Sequence, residues 1–469
     1  MPSKPWIKTF ARPHTIQRIS FLWVFFTTGA KQDKRIHINE MLILPGEGKY
    51  DYYMHEDEWL GCLSKLGDYL MERSDKVLEK DFNKITSRYE KVALEVFNKD
   101  LSSWSNIKLI NWFKKYSKAY AEFAFYSFAP WSIDLVLAPR LFEELGKVDA
   151  KQANHWYETI CTATIINRMG QQQFDLLKLA IHPDERKFKD HIKKYFWIPI
   201  YNLGDKPWEV EDFKKMLDDI ENPQEELDEK QAEFIKRLQE YKKTIEEIKP
   251  LKYLKHLIEV VHLFTHLRDE RVDRWRLVLY YIEPFYRELS KRSNLSLNQV
   301  TNLLDDEIIS LLEGKKSPED LQARTKMHAI TCRKGEIKIY TEPNEIENLR
   351  LKELGGSKLE VSELKGTGAF RGVVQGRARV IKAPAELNDL LQGEILVAHH
   401  TSPSYVVAMK RAAAIVTDEG GITSHAAIVS RELKIPCVTA TRDGSGMIKT
   451  GDLIEVNADR GIVRILKKT

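Results

Sequence analysis

Thr417-Asp418-Glu419-Gly420-Gly421-Ile422-Thr423-Ser424-His425-Ala426-Ala427-Ile428-Val429-Ser430-Arg431 reads as the end of a strand, a turn and the start of a helix. The apolar run Ala414–Thr417 closes the strand. Gly420 and Gly421 then permit a tight turn with backbone angles that other residues avoid. Thr423 or Ser424 supplies an N-cap, and Ala426–Leu433 continues as a helix that stops before Pro436. His425 is therefore expected in the first turn of that helix, where backbone N–H groups and the helix dipole favour an anion. A neutral imidazole nitrogen is a competent nucleophile toward a phosphoryl group, and the same helix start would stabilise the phosphate it acquires. Ala426 and Ala427 keep the approach open. Arg431, six residues on, faces a phosphate or pairs with Glu432 or another acid. Composition and capping alone favour a plainer reading, a surface or capping histidine.

Outward from this stretch the texture is β-like. Short apolar runs recur at Val373–Ile381, Glu394–Ala398, Cys437–Ala440, Leu453–Asn457 and Ile462–Leu466, most bounded by Gly, Pro or Asp. Glu336–Tyr340 reads as a further strand, and Gly355-Gly356 and Gly366-Thr367-Gly368 punctuate a linker. Upstream the pattern is helical. Trp59, Leu63, Leu66 and Leu70 repeat at helical spacing, as do Leu254, Leu257, Val260 and Val261. His55, Glu56, Asp57 and Glu58 mark a helix start. Phe123, Phe125, Tyr126, Phe128 and Trp131 read as core, or alternatively as the wall of a pocket for an apolar ligand. Asp218–Lys249, dense in Glu and Lys, reads as a solvated helix or helical hairpin laced with salt bridges. Phe21–Phe26 is a buried strand or a helix; a short apolar run does not decide. The expected fold class is multi-domain α+β: a mainly helical domain over 1–335, a linker over 336–365, and a β-rich domain over 366–469.

Bulk properties narrow the function. A chain of 469 residues is expected to hold two or three domains. Lys and Arg total 73 against 69 Asp and Glu, a formal net charge of +4, so nothing calls for nucleic acid as a partner. Cys62, Cys161, Cys332 and Cys437 are far apart, which argues against a disulfide framework or a zinc site and for a reducing cytoplasm. The N-terminus lacks the pattern of a signal peptide. The most apolar run, Ala119–Leu137, is interrupted by Glu122, Pro130 and Asp134. A spanning helix needs about 20 largely apolar residues, so a buried core helix is expected and no membrane partner. His262 and His266 stand one helical turn apart but lack a third ligand at motif spacing, so no metal site is expected. His399 and His400 are adjacent on an extended segment and face opposite ways. Arg268, Arg271, Arg274 and Arg276 lie among Asp269, Glu270 and Asp273. Some could bind an anionic substrate, but pairing along the helix is favoured.

The quoted stretch resembles the signature of the phosphohistidine, or swivelling, domain of phosphoenolpyruvate-utilising enzymes, the family of phosphoenolpyruvate synthase, pyruvate phosphate dikinase and the rifampin phosphotransferases. That motif is close to TxxGGxTSHAAIxAR followed by a Pro-Cys-Val strand. Thr417, Gly420, Gly421, Thr423, Ser424, His425, Ala426, Ala427, Ile428 and Arg431 match it, and Ile435-Pro436-Cys437-Val438 follows. Ser430 stands where Ala is commoner. The likeness continues through Gly372 and Gly376, through Gly393–Ala398 with Thr401-Ser402-Pro403, and through Gly451-Asp452 and Val456–Gly461. Ser404-Tyr405 departs from the residues usual after that Thr-Ser-Pro, which bears on docking. The helical region resembles the family more weakly, at Pro5-Trp6, Arg12-Pro13, Tyr195–Trp197, Arg268–Leu289 and Leu303–Leu312.

The resemblance implies a compact β/β/α swivelling domain in which His425 is the phosphohistidine. It implies that Thr423, Ser424 and Arg431 assist it, and that Thr417, Gly420 and Gly421 form the turn that supports the phosphate. Arg268 and Arg271 become candidates for substrate binding. No ATP-grasp domain is recognised ahead of the helical region and no phosphoenolpyruvate-binding barrel after it. The expectation is thus a phosphotransferase component that is not self-sufficient and holds no cofactor tightly. ATP and Mg2+ would sit on a partner ATP-grasp protein, and a small-molecule acceptor would take the phosphate. Pyruvate, a drug-like molecule and another metabolite remain open as that acceptor. The alternative is a non-catalytic regulatory or ligand-binding protein that retains the mobile domain for docking. A fragment of a longer fused synthase is a third reading.

Overall fold

The computed structural model describes residues 6–12, 15–16, 36–46, 49–333, 335–354, 363–401, 405–421 and 424–469, with the side chains of Pro384, Ala385, Ile428 and Glu432 outside that set. Pro5, Pro13, Phe21–Phe26, Gly355-Gly356, Ser402–Ser404 and Thr423, all singled out above, lie outside the described residues.

Strands β1 (Trp6–Arg12), β2 (Glu40–Pro45), β3 (Tyr50–His55), β4 (Ala329–Arg333) and β5 (Glu336–Tyr340) form an antiparallel sheet in the order β1-β3-β2-β4-β5. Alternate residues face opposite sides of a strand, and both sides here are covered. Met41, Ile43, Tyr52, Met54, Ile330 and Cys332 enter the core shared with the helices. Leu42, Leu44 and Ala329 pack instead against Ile346 and Leu349 of the helix Pro343–Leu354. The stretch expected as a linker from residue 336 thus contributes a strand and a helix to this unit.

The helices that follow β3 fill two apolar cores. His55 precedes the helix Glu56–Met71, whose first turn carries Glu56, Asp57 and Glu58 against the helix dipole. Trp59, Leu63, Leu66 and Leu70 of that helix are buried. The helix Asn106–Ser132 buries Phe123, Phe125, Tyr126 and Phe128, with Trp131 packed at the core edge, so the aromatic run is core and not a pocket wall. Lys252–Ser293, 42 residues long, threads both cores: Leu254, Leu257, Val261 and Phe264 line the first, and Trp275, Val278, Ile282 and Phe285 the second. This spacing is the apolar stripe of a helix facing a core, and each such side chain contributes about 1.5–3 kcal/mol on burial. The charged segment forms the helix Pro223–Ile248, laced by Lys230–Glu226, Arg237–Glu233 and Lys243–Glu247 one turn apart. No described helix is long and apolar enough to cross a membrane.

The C-terminal domain is built on β6 (Glu363–Lys365), β7 (Thr367–Phe370), β8 (Val373–Ile381), β9 (Ile395–Ala398), β10 (Ala414–Thr417), β11 (Cys437–Thr439), β12 (Leu453–Asn457) and β13 (Ile462–Lys467). They form one mixed sheet in the order β6-β13-β12-β8-β9-β10-β11-β7. From β8 to β11 the strands run parallel. Every residue of β9, β10 and β11 is buried, as expected of parallel strands covered on both faces. On one face Leu396, Ala398, Ile415 and Cys437 pack against Ala426, Ala427 and Val429 of the helix His425–Leu433. On the other, Ile395, Val397, Val416 and Val438 meet Ile454, Val456 and Val463, so the sheet curls back on itself. The fold is therefore a large helical region with a C-terminal β/β/α domain.

Candidate phosphohistidine site

Strands β9 and β10 are adjacent and parallel, so their carboxyl ends open onto the same edge of the sheet, where open α/β sheets place their sites. The segment after β9 carries His399 and Thr401, and the segment after β10 carries the Gly-Gly turn and His425. Gly420 has φ of +107°, and a Cβ there would lie 2.6 Å from Ser424 Cβ, so the turn requires glycine. Thr417 is buried, and its hydroxyl donates to the Glu419 carbonyl (2.9 Å), closing the turn from the strand side. Ser424 is the N-cap, its Oγ accepting from the Ala427 N–H (3.4 Å). At the other end Lys434 takes the left-handed conformation (φ 55°) and stops the helix before Pro436.

His425 is the first residue of that helix. Its Nδ1 lies 2.8 Å from Thr401 Oγ1. In the sequence Thr401 stands only within a segment match, not as a site residue. The available signal was topological: two consecutive βα units with parallel strands bring their strand ends side by side.

Arg431 is nearly two turns away from His425. Its Nε donates to the Ala369 carbonyl (3.1 Å) and pairs with Glu158 of the helical region (3.2 Å). It thus takes the ion-pairing alternative left open above, across the domain boundary. Cys437, behind the helix, has its thiol pushed up to about 12 by burial.

The turn rests against the helical region. A side chain at Gly421 would begin 3.7 Å from the Asp134 carbonyl oxygen. Asp134, Cys161, Thr265, Arg268 and Asp269 line a cavity of about 200 Å3 there. Arg268 is ion-paired with Asp134, which raises its affinity for its proton. Arg271 lies on the same long helix, partly buried. Arg274 pairs with Glu270 on its own helix and with Glu90 on another (2.7 Å each), and Arg276 pairs with Asp273 (3.5 Å). Arg268 is thus placed beside the Gly-Gly turn that leads to His425.

His262 and His399 have local partners. His262 Nδ1 meets the Ile160 carbonyl and its Nε2 meets the Thr164 hydroxyl, both at 2.7 Å, with its ring stacked on Tyr241. No group of three or more metal-ligating side chains occurs among the described residues. His399 lies between two carboxylates, 3.1 Å from Asp418 and 3.3 Å from Glu419.

Residues 390–461, within the C-terminal domain, match the family described as PEP-utilising enzyme, mobile domain. Among curated proteins, the phosphoenolpyruvate synthase of Pyrococcus furiosus is 42% identical over 166 residues, 34% of this chain and 20% of that protein. A probable phosphoenolpyruvate synthase of Archaeoglobus fulgidus is 41% identical over 176 residues, 35% of this chain and 23% of that protein. The chain therefore spans about a fifth of the length of these relatives. A solution structure of Enzyme I is 36% identical over 18% of this chain and 34% of that one, with a TM-score of 0.16.

Proposed function

We propose that His425 carries a phosphoryl group between a nucleotide site and a small-molecule acceptor. The observation that carries this reading is the contact between His425 Nδ1 and Thr401 Oγ1 at a helix start, within a domain of the phosphoenolpyruvate-utilising type. If the proton sits on Nδ1 and the threonine oxygen accepts it, the basic lone pair is on Nε2. Nε2 then attacks a nucleotide phosphorus, an N–P bond forms and the P–O bond to the leaving phosphate breaks. The first-turn N–H groups and the helix dipole stabilise the added charge. Ser424 caps the start of the helix, and Thr417, Gly420 and Gly421 hold the turn.

ATP and Mg2+ belong, in this reading, to an ATP-grasp unit that works with the domain. In the second half-reaction an acceptor oxygen attacks the phosphorus, the N–P bond breaks and Nε2 recovers its lone pair. The cavity beside Asp134 and Arg268 is the candidate acceptor position, because it adjoins the turn and offers both a carboxylate and a cation. Arg431 assists indirectly, by holding the helix between Ala369 and Glu158. A reducing cytoplasm suits the chain, whose four cysteines are all free. A second reading, a docking module without chemistry, draws on that cross-domain ion pair.

Incubating the chain with an ATP-grasp partner and ATP labelled on the β or γ phosphate tests the proposal. Acid-labile, alkali-stable label on the wild type and none on His425→Ala supports it. Equal labelling of the two sinks it.

A further inference from the structure

Strand β1 lies at the edge of the five-stranded sheet. Sheet edges are normally blunted or covered, because their unpaired backbone groups invite pairing. Here loops of the C-terminal domain lie against this strand. The Ala11 N–H donates to Glu419 Oε1 (3.3 Å), Lys8 Nζ meets Asp443 Oδ1 (2.9 Å), and just beyond β3 Arg442 pairs with Glu56 (3.0 Å). Glu419 opens the phosphohistidine turn, and Arg442 and Asp443 follow β11. The sheet edge that bears His425 is thus the one seated on β1.

One histidine stands at the centre of this contact. His399 Nδ1 lies 3.1 Å from Asp418 Oδ2, and its Nε2 lies 3.3 Å from Glu419 Oε1, the oxygen that also receives the Ala11 N–H. Asp418 is 3% exposed and is held further by the Ser445 N–H (2.7 Å) and the Ser445 hydroxyl. A neutral imidazole has one N–H, so one of its nitrogens would present a lone pair to a carboxylate. Only the imidazolium donates to both acids at once.

We propose that His399 is the positioning residue of the docked state. As the imidazolium it clamps Asp418 to Glu419 and aims Glu419 at the Ala11 N–H, holding the phosphohistidine domain on β1; as the neutral ring it releases it.

The surroundings fix the direction of the pH response. Burial disfavours the charged ring, as does Lys49 from the sheet domain. The hydrogen bond to Asp418 and the Glu419 carboxylate 3.3 Å from the other ring nitrogen override both and raise its pKa. The His400 ring stands edge-on at 5.5 Å. Beyond Asp418 lie Asp443, Lys8 and Asp51, a cluster with Lys8 between two acids. Because the folded value lies above the ordinary imidazole value, the clamp is fully present below that ordinary value. It is lost as pH rises through the raised one. The device acts on docking and needs neither phosphate donor nor acceptor.

Amide hydrogen exchange of the peptide spanning β1, normalised to the intrinsic rate at each pH, reads it directly in the full chain. Protection of the Ala11 amide should fall roughly tenfold from mildly acidic to mildly alkaline pH, the scale of a charge-assisted hydrogen bond. His399→Gln should be weakly protected at every pH, with β12 exchanging as in the wild type. Glu419→Gln, which keeps the histidine, should flatten the profile too, and it decides the matter if His399→Gln also exposes β12. A wild-type profile that survives in His399→Gln with β12 unchanged, or in Glu419→Gln, overturns the proposal, as does protection independent of pH in the wild type. Those outcomes leave phosphoryl transfer to His425 untouched.

Discussion

Thr401→Val removes one hydroxyl from beside His425 and keeps the shape of the side chain. The lost contact is 2.8 Å long and partly buried. A neutral hydrogen bond of this kind contributes about 0.5–1.5 kcal/mol. Each 1.4 kcal/mol is about a factor of ten in population. If the bond selects the tautomer with its basic lone pair on Nε2, its loss lowers the reactive population about two- to tenfold. Phosphoramidate, a small phosphoryl donor, lets the rate be followed as acid-labile phosphate without a protein partner. Thr401→Val should react about two- to tenfold more slowly than the wild type, with a thermal midpoint lowered by no more than the loss of one such hydrogen bond. Thr401→Ser, which retains the hydroxyl, should react at close to the wild-type rate. If Thr401→Val keeps the full rate, or Thr401→Ser slows as much as Thr401→Val, the tautomer argument is wrong.

Gly420→Ala should lower the stability of the C-terminal domain by about 2 kcal/mol or more, from left-handed backbone strain and a crowded Cβ, seen as a lower thermal midpoint. Asp273 has its pKa raised to about 6 by burial, which outweighs the Arg276 guanidinium. Its folded form therefore holds a proton more tightly than the unfolded chain, so its contribution is present at low pH and lost as pH rises through about 6. Asp273→Asn should then stabilise the protein at pH above 7, by up to about 3 kcal/mol, and give little gain near pH 4; denaturant unfolding at the two pH values checks the sign. Arg268→Gln should leave phosphorylation of His425 by phosphoramidate within roughly twofold of wild type while destabilising the fold by about 1–3 kcal/mol, the scale of a partly exposed charge-assisted hydrogen bond. Asp134→Asn in the same background should restore part of that loss.

Much of the site was legible in the sequence because its determinants are local. Gly420, the Ser424 cap and the stop before Pro436 lie within one short stretch, and each acts on its immediate neighbours. Strands β8, β10 and β12 carry their own boundaries in β-branched runs ended by turn residues. The salt-laced helix Pro223–Ile248 was readable for the same reason, since its ion pairs form one turn apart. What escaped was contributed by distant chain. The sheet of β1 to β5 joins strands from the two ends of the helical region, with Met41 opposite Cys332. Short runs such as Glu40–Pro45 do not declare a partner so remote. Thr401 reaches His425 only because β9 and β10 are parallel neighbours. The pairing of Arg268 with Asp134 likewise joins the long helix to the turn after Asn106–Ser132, so helical spacing within Arg268–Arg276 could not reveal it.

His425 is proposed to carry its phosphate on Nε2. Phosphorus–nitrogen correlation by NMR on the 15N-histidine-labelled, phosphorylated chain tests it most directly. A single phosphohistidine is expected, at position 425, with the phosphorus coupled to Nε2 and absent from His425→Gln. Phosphorus on Nδ1, on another histidine, or on no histidine at all would contradict it.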